Sequence, residues 1–301
     1  MSLTSYTLPL THEQSSILKA CLRRDGFEFH DRPYAIFSGK KGKLNVTVYE
    51  KGPKVLVQGK GTEDFVKFIL EPEVVGEARL GYEEHWDAEM FEPHIGVDES
   101  GKGDYFGPLV VAGVYTTPRT TRALLDAGIM DSKRVGSAKR IRELASHVKS
   151  TVGNDYKVVR WPPRKYNDLY KKHNNLNRIL AKGHASVIAD LVRRIPRCPR
   201  ALCDQFSSSS GIGKELEARH VTIKLEERTK AESDLAVAAA SILARESFLD
   251  WIDRASEKTG IELPLGAGPK VVESARVFLK KFDRSRLEDL AKIHFKTTRL
   301  I

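Results

Sequence analysis

Cysteine, methionine and tryptophan each occur only three times in these 301 residues. No apolar run approaches the roughly 20 residues that a helix needs to cross a bilayer. Cys21, Cys198 and Cys203 are too few and too irregularly spaced for a disulfide framework. Cys198 and Cys203 resemble half of a zinc site, but no second ligand pair accompanies them, so they read as ordinary thiols of a reducing compartment. The opening Met1-Ser-Leu-Thr-Ser-Tyr6 has neither the basic region nor the apolar stretch of a secretory signal. Internal repeats are missing, and so is low-complexity sequence outside Ser207–Ser210. A disulfide scaffold, a solenoid and a membrane-spanning helix are thereby excluded, and a soluble, cytoplasmic protein is expected.

What is present is a core-forming share of apolar residues, 41%, and a formal net charge of +10. That length and apolar content suit two domains of moderate size. The positive balance favours a polyanionic partner, because Lys and Arg that neutralise phosphates release counterions.

Residues 1–70 read as a small α+β unit. Thr11–Arg24 has an amphipathic stripe of Ile17, Leu18, Cys21 and Leu22. Three alternating runs follow, Tyr34–Phe37, Leu44–Tyr49 and Lys54–Gln58, separated by Gly/Lys-rich turns in the manner of a meander. Thr62-Glu-Asp64 reads as the capped start of a second helix. Basic residues outnumber acidic ones by more than two to one between 19 and 60, which predicts a cationic face. The next stretch, 71–92, carries eight carboxylates against the single Arg79 and reads as an acidic linker.

From residue 93 the pattern changes. His94–Glu99 and Arg200–Asp204 are short apolar strands that end on acids, while Pro108–Tyr115 and Tyr156–Trp161 read as further strands. Ser137–Ser150 and Asn177–Arg194 have helical periodicity, and the Ala-rich Ala236–Ile252 is apolar on most faces, hence central. Two strands ending in carboxylates, with Glu232 at the entrance to the buried helix, form a constellation that can carry chemistry. Gathering carboxylates is unfavourable without a cation, since each close pair repels by about 4 kcal/mol at an effective dielectric near 20. Hard divalent ions with oxygen ligands resolve that repulsion.

The run Gly96-Val-Asp-Glu-Ser-Gly-Lys-Gly-Asp-Tyr-Phe-Gly-Pro-Leu-Val-Val111 resembles the opening motif of the type 2 ribonucleases H, and its Ser100–Asp104 portion resembles the ribonuclease HIII version. Asp131-Ser-Lys133, Asn175–Ala181, Thr229–Ser233 leading into Val237–Ile242, and His294–Thr298 follow in family order. The resemblance covers residues 94–298. It implies an RNase H-like α/β domain with a mixed sheet and surrounding helices over 93–301, preceded by a small TATA-box-binding-protein-like substrate-binding domain. It also implies an endoribonuclease that hydrolyses the RNA strand of RNA/DNA hybrids by a two-metal mechanism, with Mg²⁺ as the ion and Mn²⁺ as its substitute. The ends produced would be a 3′-hydroxyl and a 5′-phosphate.

Carried over by motif, the catalytic and metal-binding acids are Asp98, Glu99, Asp204 and Glu232, with Asp234 as the alternative for the fourth. Ser100, Gly101, Lys102, Gly103 and Lys133 would meet the substrate. The two glycines let backbone approach the ribose edge, where the 2′-hydroxyl distinguishes RNA from DNA. His294 is the histidine expected near the site. The partner is a hybrid duplex, with no membrane and no protein partner, and the chain is expected to be a monomer. Two other readings compete: a ribonuclease HII-like activity at single ribonucleotides, and an inactive hybrid-binding protein. Gly211-Ile-Gly-Lys214 imitates a nucleotide loop but has Ser208 and Glu215 where such a loop needs Gly and Ser or Thr.

Overall fold

Alternation of apolar and polar residues in the first unit builds a five-stranded sheet. In the computed structural model, which describes residues 4–75, 88–129, 135, 137–207, 211–229 and 231–301, the chain divides into two units, Met1–Ala88 and Glu89–Ile301. The first holds β1 (Ser5–Pro9), β2 (Glu28–His30), β3 (Ala35–Lys41), β4 (Leu44–Tyr49) and β5 (Lys54–Gly59) in the order β1-β5-β4-β3-β2. Every pairing in it is antiparallel. Helix α1 (His12–Arg24) starts with a capping box between Thr11 and Gln14 and buries Leu18, Cys21 and Leu22. These pack with Val46, Val48, Val55 and Val57 in a core of the unit's own.

The second helix differs in two respects from the expectation. Its N-cap is Gly61, at φ 93°, and Thr62 instead donates its hydroxyl to the Gly59 carbonyl at 2.8 Å. After α2 (Thr62–Phe65) the chain continues as π-helix over Val66–Val75, with Pro72 inside it. The acidic stretch therefore starts as structure, not as linker. Glu71 is buried and accepts from the Tyr6 hydroxyl at 3.1 Å, and Glu73 pairs with Arg24 at 2.6 Å. Carboxylates read as solvated belong to partners brought up from α1 and β1. Of the rest of the expected linker, 76–87 lies outside the described residues, and Ala88–Phe91 is a short helix.

The second unit is a mixed sheet of β6 (His94–Ser100), β7 (Leu109–Thr116), β8 (Tyr156–Trp161), β9 (Arg200–Asp204) and β10 (Lys224–Arg228), ordered β10-β9-β6-β7-β8. β6, β7 and β8 pair antiparallel, whereas β9 lies parallel to both β6 and β10. Around the sheet are α3 (Pro118–Asp126), α4 (Ala138–Val152), α5 (Pro163–His173), α6 (Leu176–Arg194), α7 (Leu235–Thr259) and α8 (Pro269–Lys281). Helix α7 is the Ala-rich one, and small side chains let it lie directly on β6. A Cβ added at Gly96 would stand 2.2 Å from the Val237 amide nitrogen, so only glycine permits that approach. On the other face α6 contributes Ala185, Val187, Ile188 and Leu191 to a core with Ile95, Val97 and Val111. This is the RNase H-like α/β architecture with a mixed sheet, and in the chain it follows a small α+β unit. Among the described residues no helix is long and apolar enough to cross a membrane.

Candidate active site

The alternation of β6 sends its two terminal acids to opposite faces. Asp98 shares the face of Gly96, under α7, and interacts with Ser241 of that helix. Glu99 turns to the α6 side, where its Oε2 lies 3.1 Å from His184 Nε2 and its Oε1 lies 3.5 Å from Lys102 Nζ. Because β9 runs parallel to β6 with Val97 opposite Cys203, Asp98 and Asp204 follow in register on neighbouring strands and share a face. Asp204 Oδ1 accepts the Ala231 amide at 3.1 Å, which fixes the turn of 3₁₀ helix Ala231–Ser233 that carries Glu232.

A cleft of about 710 Å³ opens over these strand ends. It is lined by Asp98, Glu99 and Asp204, by Ser100, Gly101, Lys102 and Gly103, and by Arg245 and Leu265. Burial, and then the charge of Glu99, push the Asp98 carboxyl well above the usual carboxylate range. Burial acts on Glu99 in the same direction, but the His184 hydrogen bond and charge, with Lys102 behind them, outweigh it and hold Glu99 low. The site thus favours the anionic form of Glu99, whereas hydrogen bonds from Ser241 and the backbone only partly offset the burial of Asp98. An oxygen-rich cleft with a charge deficit of that kind fits a hard divalent cation. Among the described residues no three His, Cys, Asp or Glu side chains form a ready-made cage.

The predicted acids divide accordingly. Asp98, Glu99 and Asp204 meet in the cleft, and Glu232 stands on the adjoining turn. Asp234, the alternative, is the N-cap of α7: its Oδ1 accepts from the Ala236 and Val237 amides and lies 3.0 Å from His94 Nε2. Lys133 and its neighbours Asp131 and Ser132 lie outside the described residues, as does Lys230. His294 does not approach the acids. It stacks on Tyr170 with ring centroids 3.9 Å apart, and burial, helped by Lys292, lowers its pKa to about 4. The histidine against the acids is His184, which sequence reading passed over. Its one signal is a lone histidine on the apolar stripe of Asn177–Arg194. Arg245 and Ser241 were also missed, because on a helix apolar nearly all round nothing marks the turn that faces a cleft.

An α/β sheet ending in carboxylates around an open, basic-rimmed cleft defines a metal-assisted hydrolase. The family described as Ribonuclease HII matches residues 95–298, and a family described as Domain of unknown function (DUF3378) matches residues 9–77. A ribonuclease HIII of Protochlamydia amoebophila is 38% identical over 98% of this chain and 96% of its own length. One of Chlamydia trachomatis is 40% identical over the same shares. The crystal structure of Bst-RNase HIII in complex with Mn²⁺ superposes with a TM-score of 0.67 at 28% identity, covering 99% of this chain and 97% of that one. The chain belongs to the type 2 ribonucleases H, in the ribonuclease HIII family, and is a ribonuclease H enzyme.

Proposed function

We propose that the chain is an endoribonuclease that hydrolyses the RNA strand of RNA/DNA hybrids, leaving 3′-hydroxyl and 5′-phosphate ends. The observation that carries this reading is the placement of Asp98 and Asp204 on adjacent strand ends, each one residue past the Val97–Cys203 pair, on one cleft with Gly101–Gly103. Asp98, Glu99, Asp204 and Glu232 would hold two divalent ions, Mg²⁺ with Mn²⁺ as substitute. The capping role of Asp234 supports Glu232 as the fourth acid. Bound there, such ions supply activation of a water and stabilisation of the leaving oxygen.

The rest falls to the chain. His184 orients Glu99, and Lys102 is free to exchange that carboxylate for a substrate phosphate, with Ser100, Lys133 and Arg245 as further polar contacts. Gly101 and Gly103 bring backbone to the sugar edge. The first unit, residues 1–70 with the helical extension to Val75, serves as substrate-binding domain. There Lys19 and Arg23 lie over the rings of Phe37 and Phe29, a mixed cationic and aromatic surface suited to nucleic acid. Three buried, free thiols accord with a cytoplasmic location. The test is incubation with a uniform hybrid in Mg²⁺, in Mn²⁺ and in excess EDTA, followed by end analysis. Full activity in EDTA, or RNA ending in cyclic phosphates, would overturn the reading.

A further inference from the structure

Lys292 is completely buried, yet it ends in an amine. Its Nζ donates to the carbonyls of Gly107 at 2.6 Å and Asp104 at 2.8 Å, and approaches that of Phe106 at 3.5 Å. Its own backbone amide donates to the Tyr105 carbonyl at 2.8 Å. The neighbourhood repeats the theme. The Gly107 amide donates to Leu290, Phe106 bridges Ala291, and Tyr105 donates to Gly266, whose amide returns a bond to Asp104 Oδ1 at 2.7 Å. Asn167 of α5 in turn fastens the far segment, donating to the Ala291 carbonyl at 2.9 Å and accepting from Ile293 at 3.2 Å.

Burying an ammonium is unfavourable unless hydrogen bonds replace its water, and an apolar chain of equal length would fill the same space without that cost. The amine must therefore do something methylenes cannot. What it holds is the connection between β6 and β7, the segment 101–108. That connection has no slack: at Gly101, with φ +88°, an added Cβ would meet the Pro108 carbonyl oxygen at 2.2 Å. A shift of Asp104–Gly107 is passed to Gly101–Gly103 on the cleft. We propose that Lys292 is a positioning residue for substrate recognition, gripping the carbonyls of Asp104 and Gly107 so that Gly101–Gly103 keep the shape that meets the sugar edge of the hybrid. This rests on the functional reading above.

The test compares the full-length wild type with Lys292→Met and Lys292→Gln on a uniform hybrid, with hybrid affinity measured by anisotropy in EDTA. Val148→Ala, a core truncation toward the C-terminal end of α4 at a residue that does not line the cleft, serves as a control for lost stability. Lys292→Met should raise KM and the dissociation constant about tenfold while kcat falls less than about threefold, with Lys292→Gln intermediate. Val148→Ala should leave KM unchanged. An unchanged KM in Lys292→Met, or failure of both Lys292 variants to fold, overturns the proposal and leaves the amine a structural support only. Absence of wild-type cleavage would overturn the functional reading and the proposal with it.

Discussion

Asp98 is a carboxyl that the fold makes hard to ionise, because α7 covers it and Glu99 repels it. A cation offsets both effects at once, which makes Asp98→Asn the most informative single replacement. The amide is nearly isosteric, removes an anionic ligand and leaves the basic rim intact. Cleavage should fall to background, by at least about a thousandfold, the scale of losing a transition-state electrostatic contact. Hybrid binding by anisotropy should change little. Lys292 offers a second residue-scale test, this time of stability. Burial lowers its amine to about 7, against the attraction of Asp104, with Tyr166 and His294 the other titratable groups beside it. Between that value and about 10.4 the unfolded chain binds the extra proton, so the lysine's contribution to stability rises with pH across the window. Chemical denaturation from pH 7 to 10 should show wild type gaining on Lys292→Met, and parallel curves would contradict it.

At the scale of elements, the N-terminus of α7 separates two neighbouring acids that the sequence could not. Asp234 caps the helix and meets buried His94, so Asp234→Ala should lose roughly 2–4 kcal/mol, from the cap and from an orphaned partner. Glu232→Gln should barely alter denaturation yet abolish cleavage. The reverse pattern would make Asp234 the fourth acid. The segment Leu263–Gly268 matters in a different way. Ribonuclease HII carries a tyrosine in a late Gly-Tyr motif, where it stacks on the sugar at an RNA–DNA junction. Here the last tyrosine is Tyr170, and Leu265 is the side chain that this segment puts into the cleft. Phe278 is buried in the core, Phe282 packs against it with ring centroids 4.7 Å apart, and Phe295 packs edge-on against Tyr105. Runs of several ribonucleotides should therefore be cut efficiently and an isolated ribonucleotide in duplex DNA hardly at all. Comparable rates on the two substrates in Mg²⁺ would promote the ribonuclease HII-like reading.

Elements also mark what was legible in the sequence. Apolar runs such as 109–114 in β7 and the first turns of the Ala-rich α7, 235–244, announce themselves because burial on all sides leaves hardly a polar residue to blur them. β1 and β10 do not: Lys224-Leu-Glu-Glu-Arg228 is an edge strand, and its polar side chains give no period. Helices α5 and α8, each with proline at its first position, are dominated by charge and pass for loops. The acids at the strand ends were legible by motif. His184 and Lys292 were not, since their partners lie 85 and more than 180 residues away in the chain.

For the whole molecule, the division into two units with separate cores predicts that they can be parted. A fragment beginning at Glu89 keeps the contact of that residue with Arg228 and the entire mixed sheet. It should fold cooperatively and retain hydrolysis, but bind hybrid more weakly, with a shallower dependence of affinity on salt because fewer phosphates are neutralised. Equal affinity at moderate salt would assign the basic face of the first unit another purpose.

The parallel pairing of β6 with β9 has a consequence for how such a site ages under mutation. The backbones at Asp98 and Asp204 owe their spacing to the interval between adjacent strands, about 4.8 Å, which backbone hydrogen bonds set. Replacements in the surrounding core can loosen packing or lower the melting point, but they cannot retune that interval. The gauge of the site is written in the part of the chain that every sequence shares. Substitution can delete one of the two acids or lengthen it by a methylene; it has no gradual route to moving their backbones apart.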